Sequence, residues 1–199
     1  MNIHSIGYGV IDIENIELNK NEVALRLKTE RGFTSPEIEK CLNSLQSCSC
    51  VKYSVVKVPV LCWKNGELDL GFGNFCSTDL TKNLRNCNEA FIFAVTIGTG
   101  VDRLLKSLSL VSSADLFITD GLASALVESA CDEAEKRIKG ELVCNPRFSP
   151  GYGDLSLSVQ PGILQLLNAE RLLGIKLNES LMMTPTKTIT AIMGIKNEN

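Results

Sequence analysis

Histidine is nearly absent from this sequence of 199 residues, since His4 is the only one. Ser-His-Asp and Cys-His sites use a histidine as general base, so hydrolases of those two types are not expected. None of the eight cysteines forms a Cys-x-x-Cys pair, whereas zinc and iron–sulfur sites usually need a tighter cluster. The sequence therefore predicts no metal site, and the cysteines are expected to be scattered thiols.

An excess of positive charge is also missing. The chain has 20 Lys and Arg against 23 Asp and Glu, which gives a net charge of -3. Proteins that bind nucleic acid usually carry basic clusters that neutralise phosphates, so we expect no nucleic-acid partner.

Long apolar runs are absent too, because no stretch approaches the roughly 20 residues of a membrane helix. The segment Met1–Ile6 lacks a basic part followed by an apolar core, so no signal peptide is expected. We expect a cytoplasmic protein without membrane contact, whose cysteines stay reduced.

What remains is an ordinary globular composition. Hydrophobic residues make up 44% and charged residues 22%. A chain of this length is typical of one domain, and it can bury a sizeable core without disulfides or metal. We therefore expect residues 1–199 to form a single domain.

The local patterns predict strands interleaved with helices. Asn65-Gly66 between two strand patterns is a strong hairpin signal, which requires antiparallel pairing. Together the patterns favour an α+β domain with a mostly antiparallel sheet. The predicted elements are a helix from Ser35-Pro36 to about Ser47, a strand over 53–63, a central strand over 90–97, a helix over 114–139 capped by Ser112 and stopped by Gly140, a helix over 160–173, and two strands around Pro185.

Gly98-Thr99-Gly100 is the weaker of two candidate binding segments. It lies between a predicted strand and a predicted helix, where glycines let a ligand approach free backbone amides. Arg103 stands where a dinucleotide fingerprint needs its third glycine. A tight strand-to-helix turn is therefore the simpler interpretation.

The stronger candidate is the loop over 145–154, which has two prolines and two glycines among ten residues. Such a loop is stiff and sharply bent. Arg147 can bind a carboxylate through its planar fork, and Tyr152 offers a π-face to a cation. Gly151 and Gly153 let a flat ligand lie against the backbone. The alternative is a Pro/Gly turn with a solvated arginine.

The sequence of this loop resembles the Arg-x-x-Pro-Gly-Tyr motif of the activation (reactivation) domain of cobalamin-dependent methionine synthase. Residues 163–170 are similar to the helix that follows in that family, and residues 177–185 to its Leu-Thr-Glu-Ser-x-x-Met-x-Pro segment. Residues 94–98 and 120–125 resemble parts of the stand-alone form. The resemblance covers residues 90–195 clearly, whereas residues 1–60 are divergent.

The resemblance implies a C-shaped α+β domain with a twisted, mostly antiparallel sheet flanked by helices. It also implies that the chain binds S-adenosylmethionine and caps cobalamin carried by a partner protein. An electron from a flavodoxin-type donor and a methyl group from S-adenosylmethionine then restore methylcobalamin from cob(II)alamin. By position, the implied ligand-binding residues are Arg147, Phe148, Ser149, Pro150, Gly151 and Tyr152. No catalytic side chain is implied, because the cofactors carry the chemistry.

The sequence differs from that family at positions that bear on the ligand. The family has an N-terminal aspartate that holds the ligand amine, and Asp12 is the candidate here. Ser124 stands where the family has a glutamate on its long helix, with Glu128 one turn later. Asp102 and Asp120 are interpreted as helix-start residues, which favour the positive end of a helix.

Three functions follow from this sequence. The leading hypothesis is a stand-alone reactivation subunit that binds S-adenosylmethionine and docks on a cobalamin-binding methionine synthase or corrinoid protein. The first alternative is a module that keeps the fold and caps the partner without binding the ligand. The second is an independent small methyltransferase, which has only Gly98-Thr99-Gly100 in its favour.

Overall fold

The centre of the fold is a four-stranded antiparallel sheet, seen in a computed structural model that describes residues 5–62 and 67–197. The strands are β1 Ile6–Ile11, β2 Val51–Pro59, β3 Leu61–Cys62, β4 Glu67–Asp69, β5 Asn74–Cys76, β6 Cys87–Thr96, β7 Lys176–Leu177, β8 Met183–Thr184 and β9 Thr188–Lys196. The strand order of the central sheet is β1-β2-β6-β9. The other strands form two small antiparallel sheets, β3-β4-β5 and β7-β8.

Helices alternate with these strands, so the α+β class predicted from the sequence is confirmed. Short 3-10 helices cover Ile13–Asn15 and Leu157–Val159. The α-helices are α1 Lys20–Leu27, α2 Pro36–Cys48, α3 Thr78–Asn83, α4 Thr99–Val111, α5 Ser113–Lys139, α6 Gln160–Leu166 and α7 Ala169–Leu173.

The predicted central strand is β6, which pairs with β2 on one side and β9 on the other. Its apolar run is explained by burial on both faces. Phe93 and Val95 join a core formed with α1, α2, α4 and α5, whereas Ile92 and Ala94 join a second core under α3, α6 and α7. Because side chains alternate along the strand, β6 contributes to the core on each face of the sheet, and a layer of helices packs on each face.

The predicted helix ends are confirmed where they rest on capping chemistry. The hydroxyl of Ser35 accepts from the amide of Ile38 at 3.4 Å, and that of Ser112 accepts from the amide of Asp115 at 3.2 Å. Gly140 ends α5 with a φ of 53°. Each of these residues supplies a hydrogen-bond partner to a backbone group at the end of a helix, where the helix itself provides none.

One predicted helix is wrong in its extent. The helix expected over 160–173 is two helices, α6 and α7, because Asn168 adopts a left-handed φ of 50° between them. Asparagine is one of the few non-glycine residues that enter this region readily. The predicted Asn65-Gly66 turn lies outside the described residues, although β3 and β4 on either side of it pair antiparallel.

Candidate functional site

A cavity of about 570 Å³ opens at the free edge of β9, near the start of that strand. Ligand pockets commonly occupy roughly 300–1,000 Å³. Its walls come from α5, the loop after α5, the start of α6, the β7–β8 connection and β9. The lining residues are Glu128, Arg147, Phe148, Ser149, Pro150, Tyr152, Leu157, Gln160, Leu181, Met182, Met183, Thr186, Thr188, Ile189 and Thr190.

The loop after α5 reaches the cavity by running along the edge of β9. The amide of Phe148 donates to the carbonyl of Ile192 at 2.8 Å, and the amide of Ile192 donates back to Phe148 at 2.8 Å. Further along the same edge, the amide of Asn145 donates to the carbonyl of Gly194 at 2.8 Å. These bonds cover the outer edge of β9 from Ile192 onwards, which an unpaired edge strand otherwise leaves open.

Beyond Phe148 the loop turns away from β9 and leaves part of that edge facing the cavity. The amide of Tyr152 donates to the carbonyl of Ser149 at 3.2 Å, and that of Gly151 donates to Leu155 at 2.8 Å. Backbone groups in a strand alternate in direction with a period of two. Since Ile192 points outward to the loop, Thr190 and Thr188 also point their backbone groups outward. This part of the edge can hydrogen-bond a ligand.

The structure brings five of the six predicted ligand-binding residues to this cavity. Arg147, Phe148, Ser149, Pro150 and Tyr152 line it, whereas Gly151 lies behind the lining. Tyr152 is 67% exposed, so its ring stands at the rim. Gly151 has a φ of 90°, where a side chain would be strained, and an added Cβ would lie 3.2 Å from Leu157. Gly151 therefore shapes the turn.

Arg147 differs most from the sequence-based expectation, because it is already held by carboxylates of α5. Its Nη1 lies 2.5 Å from Asp132 and 3.1 Å from Glu135, and its Nη2 lies 3.1 Å from Glu128. The side chain is 26% exposed. Burial lowers the pKa of Arg147, but the electrostatic effect of Cys131 and the hydrogen bonds that the guanidinium donates to Asp132 and Glu135 outweigh it, so its pKa is raised. The guanidinium thus stays charged and fixed in position.

Part of the arginine fork nevertheless remains available. A guanidinium has five N–H donors. Three of them point to the carboxylates, and within the described residues Nε and the remaining Nη2 proton have no hydrogen-bond partner. Arg147 can therefore donate to one further carboxylate.

The floor of the cavity contains a buried polar pair. Gln160, only 2% exposed, donates through Nε2 to the hydroxyl of Thr190 at 2.8 Å, and that hydroxyl donates back to Oε1 at 3.1 Å. The same Nε2 lies 3.0 Å from the sulfur of Met183. These bonds join α6 to β9 and β8, so they fix three walls of the cavity relative to one another.

Asp154, the carboxylate of the loop, does not face the cavity. It accepts from the hydroxyl of Ser77 at 2.5 Å and from the amides of Thr78 and Asp79 at 2.7 and 3.2 Å. The bond from Ser77 is the main reason that the pKa of Asp154 is lowered to about 2. Asp154 therefore anchors the loop to the first turn of α3.

Two other aspartates hold the β8–β9 turn. Asp102 lies in the first turn of α4, as predicted, and accepts from the amide of Thr186 at 3.1 Å. The interpretation of Asp120 as a helix-start residue is wrong, because it lies well inside α5. There it pairs with Lys187 at 2.7 Å, and Lys187 also donates to Ser124 at 2.9 Å.

No aspartate of the described N-terminal residues lines this cavity. Asp12 precedes the first 3-10 helix and is not a lining residue. Ser124 is engaged with Lys187 and lies outside the lining as well. Among the described acidic residues, Glu128 alone lines the cavity.

The Gly98-Thr99-Gly100 segment is a tight turn filled by the chain itself. A Cβ at Gly100 would collide with the carbonyl oxygen of Cys48, and one at Gly98 would lie 3.1 Å from the carbonyl oxygen of Cys50. The chain from Cys48 to Cys50, at and just after the end of α2, therefore packs closely against this turn. The simpler interpretation from the sequence is confirmed.

Several lining residues have no motif that would identify them in advance. Thr186, just before β9, and Thr188 and Thr190 at its start occupy alternate positions, which is a usable signal for a polar surface. Gln160 is buried only because α6 packs on β9, and no local pattern announces that contact.

The described residues, 5–62 and 67–197, include no helix long and apolar enough to cross a membrane. No protein-family model matches the chain, and no curated protein matches it in sequence.

The antiparallel sheet, the helices on its two faces and the cavity at the β9 edge define an α+β domain. A solved structure with this fold is the crystal structure of the MetH reactivation domain bound to AdoHcy, with a TM-score of 0.70 and 15% sequence identity. The likeness covers 98% of this chain and 80% of that chain. It therefore extends through most of residues 1–60, where the sequence resemblance is weak.

Proposed function

We propose that this chain is a reactivation subunit that binds S-adenosylmethionine for a cobalamin-dependent methionine synthase system. It would support reductive methylation of cob(II)alamin on a partner corrinoid protein, with a flavodoxin-type electron donor. The observation that carries the proposal is the meeting of Arg147, Phe148, Ser149, Pro150 and Tyr152 at one cavity. The fold adds support, because the solved neighbour has AdoHcy bound.

The residues present fit this ligand. Arg147 offers Nε and one Nη2 proton to the ligand carboxylate while the α5 carboxylates hold its fork in place. Glu128 offers an oxygen to the ligand ammonium, and the outward backbone of Thr188 and Thr190 offers donors and acceptors to a purine edge. The exposed ring of Tyr152 can cover a sulfonium from the solvent side.

When bound, S-adenosylmethionine supplies the methyl group, and the protein's contribution is orientation. The loop from Arg147 to Tyr152 and the β7–β8 connection with Met182 lie on the cavity wall. They would hold the ligand at the rim and exclude water from its inner part. No side chain need accept or donate a proton.

Calorimetry with S-adenosylmethionine tests the proposal. Arg147→Lys keeps a positive charge opposite Glu128, Asp132 and Glu135 but loses the planar fork, so we expect at least about tenfold weaker binding. Arg137→Lys is the matched control, because Arg137 pairs with Glu133 on the same helix and does not line the cavity. Absence of binding heat in the folded wild-type chain would refute the ligand part of the proposal.

A module that caps a corrinoid protein without binding the ligand is the second candidate. The observation that favours it is the threefold pairing of Arg147, since carboxylates of the chain already neutralise this cation. A cob(II)alamin-loaded methionine synthase that lacks its own reactivation domain separates the two candidates. The proposal expects the methylcobalamin spectrum when the chain, S-adenosylmethionine and reduced flavodoxin are added together. The capping module expects stable association without that spectral change.

An independent methyltransferase has no support from the site, because the Gly98-Thr99-Gly100 turn is filled by the end of α2.

A further inference from the structure

Charge is distributed unevenly around the cavity. Of its described lining residues only Arg147 and Glu128 are charged, and these two are paired with each other. Arg147 also forms ion pairs with Asp132 and Glu135, so one guanidinium contacts three carboxylates. Lys139 lies 3.4 Å from Glu135 and offsets one of them. These three carboxylates and two cations together have a net charge of -1.

Glu128 is the carboxylate through which that charge acts on a ligand. Asp132 and Glu135 contact the arginine from outside the cavity, whereas Glu128 reaches its lining. Glu128 is bound by Arg147 through Nη2 alone, at 3.1 Å, and its side chain is 35% exposed. A charge beside a partly closed, largely apolar cavity is screened less than one on an open surface.

We infer that Glu128 is a specificity-determining residue that makes this cavity prefer the cationic sulfonium, S-adenosylmethionine, over the neutral thioether, S-adenosylhomocysteine. This inference rests on the proposed function and adds a selectivity to the same site. The two compounds share their adenosine, ammonium and carboxylate and differ by one methyl group and one positive charge. The difference between their affinities therefore measures how strongly the electrostatic field of the cavity favours the added positive charge.

The preference has a consequence for turnover. Loss of the methyl group converts the ligand from the favoured form to the disfavoured one. The net negative charge of this group thus favours loading of the methyl donor and release of the demethylated product from the same cavity.

Calorimetry with both compounds on three proteins tests this inference. The wild-type chain is expected to bind S-adenosylmethionine about tenfold more tightly than S-adenosylhomocysteine, the scale of one charge acting at about 10 Å through protein. In Glu128→Gln both compounds should bind more weakly, because both carry the ammonium, and the ratio should fall to about threefold or less because the sulfonium loses an additional attraction. Glu133→Gln is the matched control, since Glu133 pairs with Arg137 and Lys136 away from the cavity, and its ratio should stay at the wild-type value.

A second measurement needs no variant. Raising the salt concentration should weaken binding of S-adenosylmethionine to the wild-type chain and lower the ratio, because salt screens the interaction with the added charge. Equal affinities for the two compounds, or a ratio that Glu128→Gln leaves unchanged, would overturn the inference while the proposed function stands. Failure of the wild-type chain to bind either compound would overturn both.

Discussion

Asp154 and Ser77 are joined by a 2.5 Å hydrogen bond in which the Ser77 hydroxyl donates to the carboxylate. Ser77 also caps α3, because its hydroxyl oxygen accepts from the amide of Leu80 at 3.1 Å. A single pair of polar side chains therefore connects the loop after α5 with the start of a helix on the second core. The ionised carboxylate of Asp154 therefore contributes to the stability of the loop, beside the backbone bonds to β9.

Asp154 should make the stability of the protein depend on pH. Its pKa is about 2 in the fold and 3.8 in its ordinary state, so folding favours the ionised form. The stabilisation is complete above the ordinary value and is lost as the pH falls from about 3.8 through about 2. We expect Asp154→Asn to have a lower Tm than the wild type at pH 7, with the gap closing over that acidic range. Asp12→Asn, whose carboxylate makes no cap bond, is the control and should show no such gap.

Gly100→Ala should destabilise the protein although alanine is the better helix former. In an exposed helix the change is stabilising by about 1 kcal/mol. Here the new methyl group would collide with the carbonyl oxygen of Cys48, so α2 and α4 would have to separate. We expect a loss of about 1–3 kcal/mol in urea unfolding. Ser107→Ala at an exposed site on the same helix should change stability little, and a stabilising Gly100→Ala would contradict this packing.

Gln160→Met should cost more than the double variant Gln160→Met with Thr190→Val. The single change leaves the buried Thr190 hydroxyl without its partner, which costs about 1–3 kcal/mol. Removing both polar groups restores an apolar contact, so the double variant should regain most of that loss. A double-mutant cycle in chemical unfolding measures the coupling. Additive losses from the two changes would show that the pair does not act as a unit.

Tyr152→Ala should weaken binding of S-adenosylmethionine by about 5- to 30-fold, the range of one cation–π contact of about 1–2 kcal/mol. The ring is 67% exposed, so the fold does not depend on it and the Tm should stay near the wild-type value. Tyr152→Phe keeps the π-face and should bind almost normally. Isothermal calorimetry on the three proteins checks this, and equal affinities would remove the ring from the site.

Local chemistry predicts the elements of this fold better than it predicts their meeting points. Ser35, Ser112 and Gly140 mark helix ends because capping acts within a few residues. The apolar run of β6 likewise indicates burial on both faces, because this signal is contained in one short segment of the sequence. The break at Asn168 was missed, since a continuous apolar pattern runs across it and a left-handed asparagine gives no warning in sequence.

The candidate site was predictable to the extent that it lies on one segment. The loop from Arg147 to Tyr152 has an unusual composition and a resemblance that point to it. The threefold pairing of Arg147 was not predictable, because it depends on how α5 turns its acidic face towards the loop. Gln160 and Thr190 meet only through packing between α6 and β9. Such contacts join residues far apart along the chain.

The loop after α5 covers the edge of β9 and, in the proposed function, also holds the ligand, and mutations should affect these two roles differently. Phe148 and Asn145 cover the outer edge of β9 and so prevent it from pairing with other chains. This protection does not require a bound nucleoside. Selection against aggregation would thus preserve Asn145 and Phe148 even in homologues that no longer bind the ligand. Tyr152 and Met182, whose side chains are exposed to solvent, would change first. Among homologues, variation at those two positions beside an intact Phe148 is the expected mark of a lost nucleoside site.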